Sequence, residues 1–182
     1  MAVELMADDD SDLETVAVVP ALPGHGESFH HALDLVARER KYLSMLEAPP
    51  LEQTLQFMMG CIERGDPRFV AVVGGEVVGW CDITRHDWPI HAHRGTLGMG
   101  ILPQYRGRGL GRKLIDATLA QAHEAGFVRI ELSVHSDNAR AISLYGKAGF
   151  VMEGLQRDAV YVDGEYRDAI MMAIVERENA TG

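Results

Sequence analysis

Apolar and polar residues alternate with a period of two from Val128 to His135, with Val128, Ile130, Leu132 and Val134 set against Arg129, Glu131, Ser133 and His135. Successive strand side chains point to opposite faces, so this stretch predicts a strand with one buried face. Residues 109–125 instead carry Leu110, Leu114, Thr118, Ala122 and Ala125 at helical spacing, with Gly126 beyond as a left-handed stop. The same periodicity predicts helices over 30–46, ended by Pro49-Pro50, and over about 51–63, ended by Gly65-Asp66-Pro67. A short helix capped by Ser136 or Asp137 carries Ala141, Leu144, Tyr145 and Ala148 and closes at Gly149-Phe150. Strands are predicted over 15–21, over 69–73 and 76–83 as a hairpin around Gly74-Gly75, and over 159–162 and 169–175 as a hairpin around Asp163-Gly164. Residues 96–102 also read as a strand, although Gly98 and Gly100 interrupt it; interior strand glycines mark a bulge or the close approach of another group. A polar loop over 84–94 holds His86, Trp88, His91 and His93.

At 182 residues and 47% hydrophobic, the chain has material for one core, and the expected organisation is an acidic flexible tail over 1–14 followed by a single domain over 15–178. No apolar run approaches the roughly 18 residues of a membrane span, and the start lacks a secretory pattern, so the expected compartment is the cytoplasm. Cys61 and Cys81 read there as buried small hydrophobes. The formal net charge is −10, but six acidic residues lie in the first fourteen, leaving −4 for the rest. That balance argues against nucleic-acid binding, which needs a basic face. Against the trend, Arg106, Arg108, Arg112 and Lys113 cluster with no acid between Gln104 and Lys113, in the most glycine-dense part of the chain.

A predicted strand, then the loop Gln104-Tyr105-Arg106-Gly107-Arg108-Gly109-Leu110-Gly111, then a predicted helix forms an anion-binding arrangement. Gly107, Gly109 and Gly111 allow close backbone approach, amide N–H groups converge, and the helix N-terminus adds partial positive charge. A pyrophosphate fits such a site. The loop lacks the Lys-Ser/Thr ending of a Walker motif and the strand context of a dinucleotide fingerprint. The loop resembles the Gln/Arg-x-x-Gly-x-Gly/Ala motif of the GNAT-superfamily N-acetyltransferases, carried here by Gln104, Gly107 and Gly109 after Ile101-Leu102-Pro103. The downstream segment from Asn138 to Phe150 resembles the same family's Asn-x-x-Ala-x-x-Leu-Tyr-x-x-x-Gly-Phe.

The resemblance implies an α/β fold: a GNAT-type mixed, mostly antiparallel sheet with a splayed central strand pair, flanked by helices. It implies acetyl-CoA as co-substrate, with the pantetheine along Met99, Gly100 and Ile101, the pyrophosphate on amides from Arg106, Gly107, Arg108, Gly109, Leu110 and Gly111, and cofactor contacts at Gln104 and Asn138. Arg108, Arg112 or Arg140 would meet the remaining phosphate. It also implies Tyr145 as the acid that protonates the departing thiolate, a role suited to a phenol. Asn138 lies seven residues earlier, two helical turns away on the same face. Among Asp82, His86 and His93, the titrating groups near strand ends, His93 is taken as the base. The histidines of the loop lack the helical pairing of a zinc site, so no metal is expected. The expected activity is acetyl transfer to a small primary amine, an amino acid or related metabolite, by direct attack in a ternary complex and with a homodimer as the working form. A peptide N-terminal acetyltransferase and a non-catalytic CoA-binding module are the alternatives.

Overall fold

A computed structural model describes residues 15–177; the expected acidic tail lies outside the described residues. Seven strands, β1 (Ala17–Pro20), β2 (Arg68–Val73), β3 (Glu76–Arg85), β4 (Arg94–Ile101), β5 (Arg129–His135), β6 (Val151–Val162) and β7 (Glu165–Val175), form one sheet in the order β1-β2-β3-β4-β5-β7-β6. Four α-helices accompany them: α1 (Gly26–Arg38), α2 (Leu51–Glu63), α3 (Leu110–Glu124) and α4 (Ala139–Lys147). All neighbouring strands are antiparallel except β4 and β5.

That parallel pair makes the site possible. Its register covers only Arg94 to Thr96 against Arg129 to Glu131. Beyond Thr96, β4 continues to Ile101 paired only to β3, and β5 continues to His135 paired only to β7. The sheet therefore opens into a V between the C-terminal halves of its two central strands. Trp80 and Cys81, neighbours on β3, show the two layers: the Trp80 ring stands edge-on to Phe29 of α1 at 5.5 Å, whereas Thr118 of α3 donates its hydroxyl to the Cys81 carbonyl from the other side.

Glycines at Gly74-Gly75 and Gly164, and Asp163 beside the last, all take positive φ, which closes both predicted hairpins. Gly126 and Gly149 end α3 and α4 in the same conformation. Gly95 has a different reason. A Cβ there would stand 2.5 Å from Ile83 Cγ2 and 2.6 Å from Phe127 Cε1. Gly95→Ala is expected to overpack this point and cost about 1–3 kcal/mol, read as a lower urea midpoint at unchanged m-value.

Three of the predicted boundaries that move have a clear local cause. The first helix stops at Arg38 rather than near residue 46, because Arg40 turns to φ +56° and Asp34 accepts from the Ala48 amide, folding the following loop back on the helix. α4 is capped by Asn138, not Ser136 or Asp137: its Oδ1 accepts from the Ala141 amide at 3.2 Å. The strand predicted over 159–162 extends back to Val151, since bulges between Met152 and Gly154 and between Gln156 and Val160 break the alternation that would have revealed it.

Candidate active site

The loop after β4 makes a single 3₁₀ turn over Pro103–Tyr105, and Gly107 and Gly109 then take φ +81° and +77° to enter α3. Gly109 is the N-cap and offers no side chain, and the first turn of α3 carries no acidic residue. The first-turn amides and the positive end of a 15-residue helix are therefore left for an external anion. Nothing lies within 4 Å of where a Gly109 Cβ would be, so the space above it is open. Gly111 is tight: its Cβ would come 2.9 Å from Leu144, bringing α3 and α4 together beside Met99 and Ile101.

A cleft of about 470 Å³ runs from this loop into the V, a size suited to an extended small-molecule ligand. Met99, Gly100 and Ile101 line it from β4, Ser133 and Val134 from β5, and Asn138, Leu144 and Tyr145 from the α4 region. Val36 of α1 and Tyr42 of the following loop line it from the other layer, so the cleft passes through the sheet. Met99 and Ile101 turn their backbone amides to the β5 side, where the splay leaves them without a strand partner, whereas the backbone of Gly100 pairs with Trp80 of β3. The glycine at 100 has a separate cause: a Cβ there would run into the Trp80 ring.

Of the expected cofactor residues, Arg106, Gly107, Gly109, Leu110, Gly111 and Arg112 line the cleft, while Gln104 and Arg108 do not and are exposed. The Arg108 guanidinium lies over the Tyr105 ring. Two arginine charges are already used. Arg106 forms a two-point ion pair with Glu39 at 2.8 and 2.5 Å, donates to the Ile101 carbonyl and lies over Tyr42. Arg112 donates to Asp116 and to the Lys147 carbonyl. Arg140 lines the cleft with its Nη2 against Gly107 and has no ion-pair partner among the described residues.

Tyr145 and Asn138 both face the cleft. The Tyr145 ring packs edge-on to Phe150 at 5.8 Å, and burial pushes its phenol well above the ordinary tyrosine range, so the hydroxyl keeps its proton. His93 does not join them. It sits exposed just before β4, six residues from Met99, and a strand rises about 3.3 Å per residue, which places it roughly 20 Å from the cleft. It is corrected from the role of base. Its backbone carbonyl instead accepts from the Val128 and Arg129 amides. Residues 39–42 were missed because their contact with residues 101–106 spans a sequence separation that no local pattern carries.

The model of the acetyltransferase (GNAT) family matches residues 31–150, which include both the glycine-rich loop and α4. The chain belongs to the GNAT acetyltransferase family. It is 34% identical over 113 residues to the L-amino acid N-acetyltransferase AaaT of Escherichia coli K12, covering 62% of this chain and 70% of that one. It is 31% identical over 118 residues to the spermidine N(1)-acetyltransferase of the same organism, covering 64% and 62%. In fold it is similar to a phosphinothricin acetyltransferase from Sinorhizobium meliloti, solved with acetyl-CoA, at a TM-score of 0.84 and 18% identity over 92% of each chain. The GNAT donor is acetyl-CoA, and the site fits it: an open glycine cradle under a helix N-terminus for the pyrophosphate, and a slot through the sheet for the pantetheine. No helix among the described residues is long and apolar enough to cross a membrane.

Proposed function

We propose that this GNAT enzyme acetylates the primary amine of a small molecule, an amino acid or a related metabolite, by direct attack within a ternary complex. The observation that carries the reading is the cleft that pierces the sheet: it gives donor and acceptor separate approaches to one point between β4 and β5. Acetyl-CoA supplies the reactive thioester. The amides of Gly107 to Arg112 hold phosphate, with Arg140 adding a cation that has no ion-pair partner among the described residues. Met99 and Ile101 offer backbone groups along the open edge of β4 and fix the depth of the reacting carbon. Asn138, with Oδ1 used by the α4 cap, keeps its amide NH₂ for the ligand. Tyr145 gives its hydroxyl proton to the departing sulfur. Both cysteines are buried, and direct transfer requires neither as a nucleophile.

The reading places the enzyme in the cytoplasm, in keeping with two free thiols, and pairs two copies along the exposed edge strand β6, where Val151, Leu155 and Tyr161 face outward. A panel of amino acids, polyamines, aminoglycosides and short peptides, incubated with acetyl-CoA while free thiol is followed, tests the acceptor class. Thiol release with small amines is the expected result. Release only with peptides bearing free N-termini replaces this reading by a peptide N-terminal acetyltransferase.

A further inference from the structure

The base left vacant by His93 has a candidate on the opposite side of the sheet from Tyr145. Cys81 and Asp82 are successive β3 residues and so face opposite layers; the Cys81 thiol stands near the Tyr145 phenol, and Asp82 shares the Trp80 layer with α1 and α2. Across the sheet Asp82 pairs with Arg68 on one side and Gly98 on the other.

Its two oxygens have different surroundings. Oδ2 meets Arg68 Nη2 at 3.3 Å. That guanidinium is fixed between the Phe29 ring of α1 and the Phe57 ring of α2, at 5.3 and 5.2 Å, and its side chain is only 2% exposed. Oδ1 has no protein donor among the described residues and lies over Gly98, 3.4 Å from where a Cβ would be. The Asp82 side chain is 13% exposed; neither it nor Gly98 lines the cleft, but Gly98 adjoins Met99, which does. Gly98 is two residues past the last β4–β5 pair, at the mouth of the V. A carboxylate present only to neutralise Arg68 would not need a bare strand and an open oxygen on its far side.

We propose that Asp82 receives the ammonium group of the acceptor through Oδ1 and takes its proton before attack. This rests on the acetyl-transfer reading and names the residue that selects a cationic amine. One N–H bond breaks and its proton moves to Oδ1. The freed nitrogen pair makes the N–C bond as the C–S bond breaks, and the sulfur leaves with that bond's electrons and the Tyr145 proton. The second nitrogen proton leaves through water as Tyr145 is reprotonated, and Asp82 returns its own to solvent, so each turnover releases one proton. Burial raises the Asp82 carboxyl above the usual range; Arg68 of β2 opposes this, and the charge of Asp66, just before β2, adds to it. Gly98 of β4 brings no charge.

Two variants test the assignment, each read as kcat/KM against pH with the best acceptor of the panel. Asp82→Asn is expected to lose about 10²-fold and to flatten the limb that rises with pH in the parental enzyme, while the acetyl-CoA-induced thermal shift persists. Asn leaves Arg68 without its counter-charge and endangers folding, so Gly98→Ala provides the independent test. It leaves the ion pair intact and sets a methyl group beneath Oδ1, and is expected to raise the amine KM about tenfold or more with the acetyl-CoA KM unchanged. An active parental enzyme whose Gly98→Ala variant keeps its amine KM, or whose Asp82→Asn variant keeps the rising limb, overturns the assignment alone. A parental protein that binds acetyl-CoA and acetylates no amine overturns the transfer reading and the assignment together.

Discussion

Tyr145→Phe is expected to lower kcat by about 10²- to 10⁴-fold while leaving the KM for acetyl-CoA and the thermal stability close to parental. The ring provides the packing: it lies edge-on to Phe150 beside the α4 terminus, where the Phe150 amide donates to the Tyr145 carbonyl. Phenylalanine keeps all of that. The hydroxyl provides the proton, and burial ensures that it is still bound across the working pH range. A group acting only when the sulfur departs contributes to the transition state and not to ground-state binding, so its removal appears in kcat. Pre-steady-state thiol release from both proteins checks this; parental rates in the Phe variant would make Tyr145 a packing residue.

The second large effect is on donor binding. Gly109→Val places a branched side chain in left-handed backbone, at a cost of roughly 1–2 kcal/mol, with no neighbour within 4 Å to clash against. The folded protein should therefore survive. The new side chain occupies the space that the pyrophosphate requires, and the first-turn amides of α3 are screened from it. A ligand at 100 times its dissociation constant stabilises by about 2.7 kcal/mol, a readily measured rise in Tm. Saturating acetyl-CoA should give that rise in the parental protein and little or none in Gly109→Val. Equal shifts in the two would remove the loop from the binding site.

Local chemistry explains which parts were legible in the sequence. Paired turn residues at Gly74-Gly75 and Asp163-Gly164, the period-two run at 129–135 and the glycines around α3 each encode a conformation within a few residues, and the structure has them. The loop-then-helix motif located one end of the cleft for the same reason. Tertiary pairing was not legible. The Glu39–Arg106 ion pair neutralises one guanidinium of the loop's basic cluster, and only the folded chain brings the two together. The Trp80 ring over Gly100 likewise gives that glycine a packing cause that the strand pattern could not separate from close ligand approach. His93 was misplaced because proximity in sequence to a functional strand says nothing about which end of the strand carries the site. Asp82 was visible only as one of several titrating groups; what sets it apart is the register with Gly98.

The central claim is that acetyl passes directly from acetyl-CoA to an amine held in the split between β4 and β5. Single-turnover mixing of enzyme and acetyl-CoA, with and without the best amine of the panel, tests it when thiol release, amine product and intact protein mass are followed together. Thiol and N-acetylated product should rise at one rate, only when amine is present, with the protein mass unchanged throughout. A burst of thiol before amine is added, accompanied by an acetyl adduct on the protein, would contradict direct transfer.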